Sequence, residues 1–229
     1  MTRTTAMAFS TARTLPCKAG GVLRDLLLAQ LLAAGSLVFG PAAVAGDTAT
    51  YVFVCDDETT YTVRATGAEA WLFGPGATLR LPAASTDGAK RYADGRLEIL
   101  IEGEAARIGE TGRALQHCRN DRRQAVWERA KLDGADFRAV GNEPGWHLEI
   151  LEQSRIVLVA DYGASRVETP LPAPATDPEH HLTRWDAGEL VLEVIDRRCT
   201  DTMSGEQFPA GVVVHWQSRT LRGCGRPLH

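Results

Sequence analysis

The dipeptide Asp94-Gly95 is followed by apolar residues at Leu97, Ile99 and Ile101. Asp-Gly supplies the positive φ that a tight hairpin turn demands, and an apolar residue at every second position marks a half-buried strand leaving that turn. Residues 51–54, 61–63, 70–73 and 78–81 are short apolar or alternating runs of the same kind. Gly67, Gly74-Pro75-Gly76, Pro82, Gly88, Gly103 and Gly112 punctuate them. Many short strands separated by turn residues read as a small antiparallel barrel or sandwich.

The pattern changes after Asn120. Residues 121–132 contain neither Gly nor Pro, and Asn120 or Asp121 can N-cap them. Ala125, Trp127, Ala130 and Leu132 supply a narrow apolar stripe, whereas Arg122, Arg123, Arg129 and Lys131 give a solvated basic face. A short helical linker over 121–135 is expected. Strand signals resume at Asp136 and continue through residues 147–151, 156–160, 190–195 and 212–216. Residues 168–181 carry four prolines and read as an extended surface loop. No repeat of the first half is visible, so 136–229 reads as a second β-domain. The expected class is all-β: two small antiparallel barrel or sandwich domains, 46–120 and 136–229, joined by a short helix.

The N-terminal 45 residues have a different character. Arg3, Arg13, Lys18 and Arg24 precede an apolar run over 26–39, and Ala43-Val44-Ala45 follows. A positive region, an apolar region and an A-x-A site describe a secretory signal peptide cleaved after Ala45. The apolar run is interrupted by Gln30, Gly35 and Ser36 and is short for a span, so no membrane span is expected in the mature chain. Its loss leaves 21 basic against 28 acidic side chains, a formal charge of −7. That balance excludes the electrostatic footprint of a nucleic-acid binder. The expected location is periplasmic or secreted.

Cys55, Cys118, Cys199 and Cys224 remain in the mature chain. Four cysteines allow three pairings, and sequence alone does not choose among them. Their placement, two early and two late, favours Cys55–Cys118 and Cys199–Cys224. Zinc is the competing reading, given His117 and His215. No C-x-x-C spacing exists, and an exported chain meets an oxidising milieu. No metal or cofactor is expected.

Tyr51 to Cys55 forms a Y-x-x-x-C opening. A small-residue loop ending in Tyr92, the Asp94-Gly95 turn, Gly103-Glu104-Ala105 and Cys118 follow. This set, over about 48–120, resembles the MliC-type bacterial inhibitors of c-type lysozyme. The resemblance implies a β-barrel that inserts its 84–95 loop into the acidic active-site cleft of a lysozyme. A loop serine, matched by Ser85, and a lysine before the Gly-Glu pair enter that cleft in the family; here the lysine's place is held by Glu102. Asp87 competes with Ser85 for the position beside Gly88. Gly88 lets backbone amides approach closely, and Lys90 or Arg91, next to Tyr92, supplies a cation. A cleft of this type works with one protonated and one ionised carboxylate, so a plug must bring donors to it. The implied function is inhibition of c-type lysozyme, without catalysis. An envelope ligand-binding or structural module is the alternative.

An enzymatic reading centres on Ser204, with His215 or His147 as base and Asp201 as orienter. The simpler reading is a Ser-Gly turn in which Asp201 bonds local amides beside Cys199. His180-His181 reads as a solvated loop tip. Trp146, in G-N-E-P-G-W, reads as core of the second domain.

Overall fold

The computed structural model describes residues 47–84 and 90–229; the expected signal peptide, 1–45, lies outside the described residues. The first sheet contains β1 (Ala49–Cys55), β2 (Thr60–Ala65), β3 (Glu69–Gly74), β4 (Ala77–Pro82), β5 (Lys90–Ala93), β6 (Leu97–Glu102), β7 (Ala105–Glu110) and β8 (Gln116–Asn120). Their spatial order is β4-β3-β2-β1-β8-β7-β6-β5, which is two four-stranded meanders joined along β1 and β8. A flat sheet of eight strands would hold its edges about 34 Å apart, at ~4.8 Å per strand. Here Ala83 bridges Tyr92, and the Ala84 N–H bonds the Arg91 carbonyl at 2.8 Å. The edges therefore meet, and the sheet is a nearly closed barrel. Alternation turns Phe53, Val63, Leu72, Leu81, Tyr92, Ile99, Ile101 and Ile108 into one core.

The β1–β8 seam is short, with register pairs only at Phe53–Asn120, Val54–Arg119 and Cys55–Cys118. The last pair is a disulfide. The backbone thus places both sulfurs on the inner face, at directly opposed positions.

A single helix, α1 (Arg122–Leu132), leads to the second sheet. Asp121 is its N-cap, accepting from the Arg123 and Gln124 amides at 3.0 and 3.1 Å. Gly134, at φ +90, follows the C-terminal turn, where Arg129 and Lys131 suit the negative end of the helix dipole. Ala125, Trp127 and Ala130 are buried. Trp127 stacks obliquely on Phe208 at 5.3 Å, and the guanidinium groups of Arg226 and Arg138, cross-strand neighbours in the second sheet, lie 4.4 and 5.7 Å from its ring. Burial lowers the pKa of Arg138, and its ion pair with Glu149 opposes that effect. On the side of the first sheet, the Asp121 N–H bonds the Val52 carbonyl at 2.7 Å, and Asp133 pairs with Arg64 at 2.7 Å.

The second sheet contains β9 (Ala135–Asn142), β10 (Gly145–Leu151), β11 (Arg155–Ala160), β12 (Ser165–Pro170), β13 (Ala175–Asp177), β14 (Leu182–Asp186), β15 (Leu190–Ile195), β18 (Ala210–Trp216) and β19 (Arg219–Pro227). A separate hairpin, β16 (Cys199–Thr200) with β17 (Gln207–Phe208), interrupts the run between β15 and β18. The order β12-β11-β10-β9-β19-β18-β15-β14-β13 repeats the winding of the first sheet: the first strand of one meander pairs with the last strand of the next. Its edges, β12 and β13, are separated by only residues 171–174, a reach of about 18 Å at most. Nine flat strands would need about 38 Å, so the sheet curls into a half-barrel. The all-β class is as expected. The 168–181 segment is not one loop: residues 168–170 finish β12 and 175–177 form β13. Both are edge strands, where a missing proline N–H costs no ladder bond.

Trp146, Leu148, Ile156, Leu158, Leu190, Leu192, Val214 and Trp216 fill the concave face. Gly141 and Gly223 make room for Trp146, because a Cβ on either would collide with its indole ring and with neighbouring backbone. Cys199 is bonded to Cys224, which ties the hairpin to β19. Both disulfides match the favoured pairing.

Two stability experiments follow. The Cys55–Cys118 and Cys199–Cys224 bonds span 63 and 25 residues of sequence. In the loop-entropy account they contribute about 4 and about 3.5 kcal/mol respectively. Cys55→Ser/Cys118→Ser should accordingly lower the unfolding free energy more than Cys199→Ser/Cys224→Ser in denaturant titrations. Trp127→Ala should cost about 3–5 kcal/mol, the usual penalty for a buried tryptophan. A cost below about 1 kcal/mol would show that the indole does not anchor the helix.

Candidate functional site

The barrel has two ends, and the registers assign every connection to one of them. Lys90 opposes Ile101 and Glu102 opposes Ala105, so the 84–90 connection and the β6–β7 turn share an end. The β2–β3 turn is there too, since the Tyr92 hydroxyl donates to the Thr66 carbonyl at 2.6 Å. Thr66 is fixed in turn: its side-chain oxygen accepts from the Glu69 N–H at 3.2 Å. At the other end lie the Asp94-Gly95 turn and the β7–β8 turn.

Ser85, Asp87 and Gly88 lie outside the described residues. The flanking residues are placed firmly. Tyr92 is buried inside the barrel, and burial raises its phenol pKa. It positions β5 from within, presenting no surface of its own. Lys90 is two residues earlier and so shares the inward face, but at the rim, where it is exposed. Its ammonium is 3.4 Å from the Tyr51 hydroxyl, and Tyr51 stacks on Phe53 at 5.1 Å. Arg91 faces outward and is clasped by Glu98 at 2.9 and 3.0 Å, which raises its pKa. Glu102 also faces outward, paired with Arg107 at 2.9 Å. Both partners are about half exposed, and such a pair is worth at most about 1 kcal/mol. Among the described residues Lys90 therefore meets the Tyr51 hydroxyl and no carboxylate, whereas Arg91 is occupied by Glu98. Tyr51 and Thr66 were not singled out as site residues from sequence. The period-two rule, applied back from Tyr92, would have placed Lys90 on the inner rim.

In the second sheet Asp201 is buried and accepts four hydrogen bonds. Met203 N, Ser204 N and Ser204 Oγ donate to one oxygen at 3.0, 2.7 and 2.9 Å, and Asn142 Nδ2 donates to the other at 2.7 Å. Burial pushes this carboxyl up, but the hydrogen bonds outweigh it and hold the group below the usual carboxylate range. The Ser204 hydroxyl also accepts from the Glu206 amide at 3.2 Å. Neither histidine weighed as its base is bonded to it. His215 Nδ1 contacts Thr220 Oγ1 at 3.2 Å, and His147, on the opposite side of β9 from β19, is held below its ordinary pKa by burial and by Arg138. The geometry is that of a turn whose carboxylate ties the hairpin to β9. His180 pairs with Asp177 at 2.8 Å on the exposed 178–181 turn. Among the described residues no group of three or more His, Cys, Asp or Glu side chains is arranged to hold a metal ion. No helix among them is long and apolar enough to cross a membrane.

Comparison with known proteins yields no match: no family model, no curated protein and no solved structure is recognisably similar to this chain.

Asp201 generates a pH prediction. Its folded pKa is depressed, so its contribution to stability is complete above the unfolded value of about 3.9 and is lost as pH falls through the folded value. Asp201→Asn should flatten the acid limb of the stability curve below pH ~4 and loosen the 199–208 hairpin. Denaturant titrations at stepped pH would show it. An acid limb identical in the variant would contradict the assignment.

Proposed function

We propose that the chain is an exported binding protein that inhibits c-type lysozyme through the end of the first barrel carrying residues 84–90 and 102–105. One observation supports this reading above the others. The strands that close the barrel are the ones that carry the 84–90 connection, and Lys90, at the rim end of β5, has no carboxylate partner among the described residues. A loop held by a stapled, closed scaffold loses little entropy when it enters a cleft. A cation on it meets the ionised carboxylate of a glycosidase at a distance where desolvation strengthens the contact. The two disulfides accord with an oxidising compartment, and hence with a periplasmic or secreted location.

A second reading has its own observation. Glu102 presents a carboxylate where the resemblance implies a cation, and its charge is met by Arg107 of this same chain. An envelope ligand-binding or structural module that no longer inhibits would carry this arrangement.

A lysozyme cell-wall lysis assay separates the two. The native protein should slow lysis, Lys90→Ala and Ser85→Ala should each weaken the effect by about tenfold or more, and Asp87→Ala should leave it unchanged. Glu102→Lys should strengthen it, by replacing a repelled anion with a donor that an acidic cleft attracts; a partly desolvated contact of this kind is worth about 1–3 kcal/mol. Inhibition that survives both Lys90→Ala and Ser85→Ala would remove the loop from the interface. No inhibition by either the native protein or Glu102→Lys would favour the second reading.

A further inference from the structure

The outer face of the second sheet carries a cleft that the barrel-end reading does not use. The β16–β17 hairpin lies over β9 and β19, fastened by the Cys199–Cys224 bond and by the Asn142–Asp201 hydrogen bond. Between hairpin and sheet is a cavity of about 400 Å³ of mixed lining, whose polar wall is formed by Glu143, Thr200, Thr202, Thr220 and Arg222. An apolar groove of about 410 Å³ adjoins it, lined by Val126 and Trp127 of α1 and by Met203 and Phe208 of the hairpin. The two meet at Asn142 and Asp201, which line both.

Two details indicate a ligand. Met203 is 75% exposed and Val126 47%, two of the few large apolar side chains left in water, and they border the same groove. Arg222 is exposed on the cavity's polar wall and, among the described residues, its guanidinium has neither an ion-pair nor a hydrogen-bond partner. The other charges around the cleft are Asp201, saturated by four hydrogen bonds; Glu206, 3.9 Å from Arg226; Glu143, on the polar wall; and Arg123, on the apolar rim. We propose that this cleft binds a small amphipathic monocarboxylate, its carboxylate on Arg222 and its apolar group between Val126, Met203 and Phe208. Among the described residues the Arg222 and Arg123 side chains both lack partners, but Arg123 stands on the apolar rim. A bidentate guanidinium–carboxylate contact therefore falls to Arg222, and the threonine hydroxyls donate to the same oxygens. A doubly charged phosphate is disfavoured, because Glu143 and the ionised Asp201 share the cavity. The volume matches ordinary small-molecule sites.

The test uses the purified protein, ¹⁵N-labelled, with N-acetyl-L-leucine as probe and N-acetyl-L-leucinamide as the uncharged control. The acid should shift the amides of Asn142, Thr202, Met203 and Arg222 saturably at millimolar concentration. The amide control should bind at least about tenfold more weakly, as should the acid to Arg222→Gln, since a charged hydrogen-bond pair is lost in each case. Met203→Ser should weaken the acid without abolishing its dependence on Arg222. Each variant's spectrum outside the cleft reports that the fold is retained. Equal binding of acid and amide, no saturable shift at these residues, or loss of binding in Arg123→Gln but not in Arg222→Gln would each overturn the proposal.

Discussion

The first barrel depends on a seam of three residue pairs. Everything in its two meanders is local hairpin pairing, which any sequence with suitable turns can form. Only β1 against β8 joins the beginning of the unit to its end, and only three pairs hold it. Two features compensate for that brevity. Cys55 and Cys118 make one of the three pairs covalent, and at the other end of the seam, just beyond Phe53–Asn120, the Asn120 side chain accepts the Val52 amide at 2.9 Å. With the seam fixed, the Ala83–Tyr92 bridge can close the far side, and the 84–90 connection gains fixed ends.

The same winding recurs in the second sheet with a different solution at each weak point. Its seam, β9 against β19, has four pairs and no cross-strand disulfide; Gly141 and Gly223 there let Trp146 pack close to the backbone. Its disulfide instead holds an excursion, the 199–208 hairpin, against the outer face. Trp127 then links helix, hairpin and sheet by packing on Phe208 of the hairpin and on the guanidinium groups of Arg138 and Arg226. One topology therefore takes two forms: a nearly closed barrel with the 84–90 connection at one end, and a half-barrel with a cleft on its outer face.

Turn chemistry and alternation made much of this legible. Gly95 does take a positive φ, and Ile99 and Ile101 are buried beyond it, because the turn type and the pleat are local properties. Asp121 caps α1, and Ala125, Trp127 and Ala130 form its buried stripe, one residue fewer than the sequence stripe because Leu132 lies at the end of the helix and is only half-buried. Of the four prolines in 168–181 only Pro170 misled, since proline at a sheet edge looks like proline in a loop; Pro172, Pro174 and Pro178 do lie outside strands. The repeated winding was invisible because topology is set by which strands pair across long separations, and the two halves reach it with unrelated side chains. At the candidate site, Lys90, Arg91 and Glu102 were nameable, but which of them is already clasped by a neighbour is a cross-strand fact: Glu98 stands beside Arg91 only in the folded register.

The central claim is that one end of the first barrel, rather than its side or the second sheet, faces the partner. Amide hydrogen exchange of the protein with and without saturating c-type lysozyme tests it most directly. The account predicts added protection at residues 84–93 and 102–105, with none at 94–96 or 111–115 on the opposite end. Protection confined to the 199–208 hairpin, or spread over the opposite end, would contradict it.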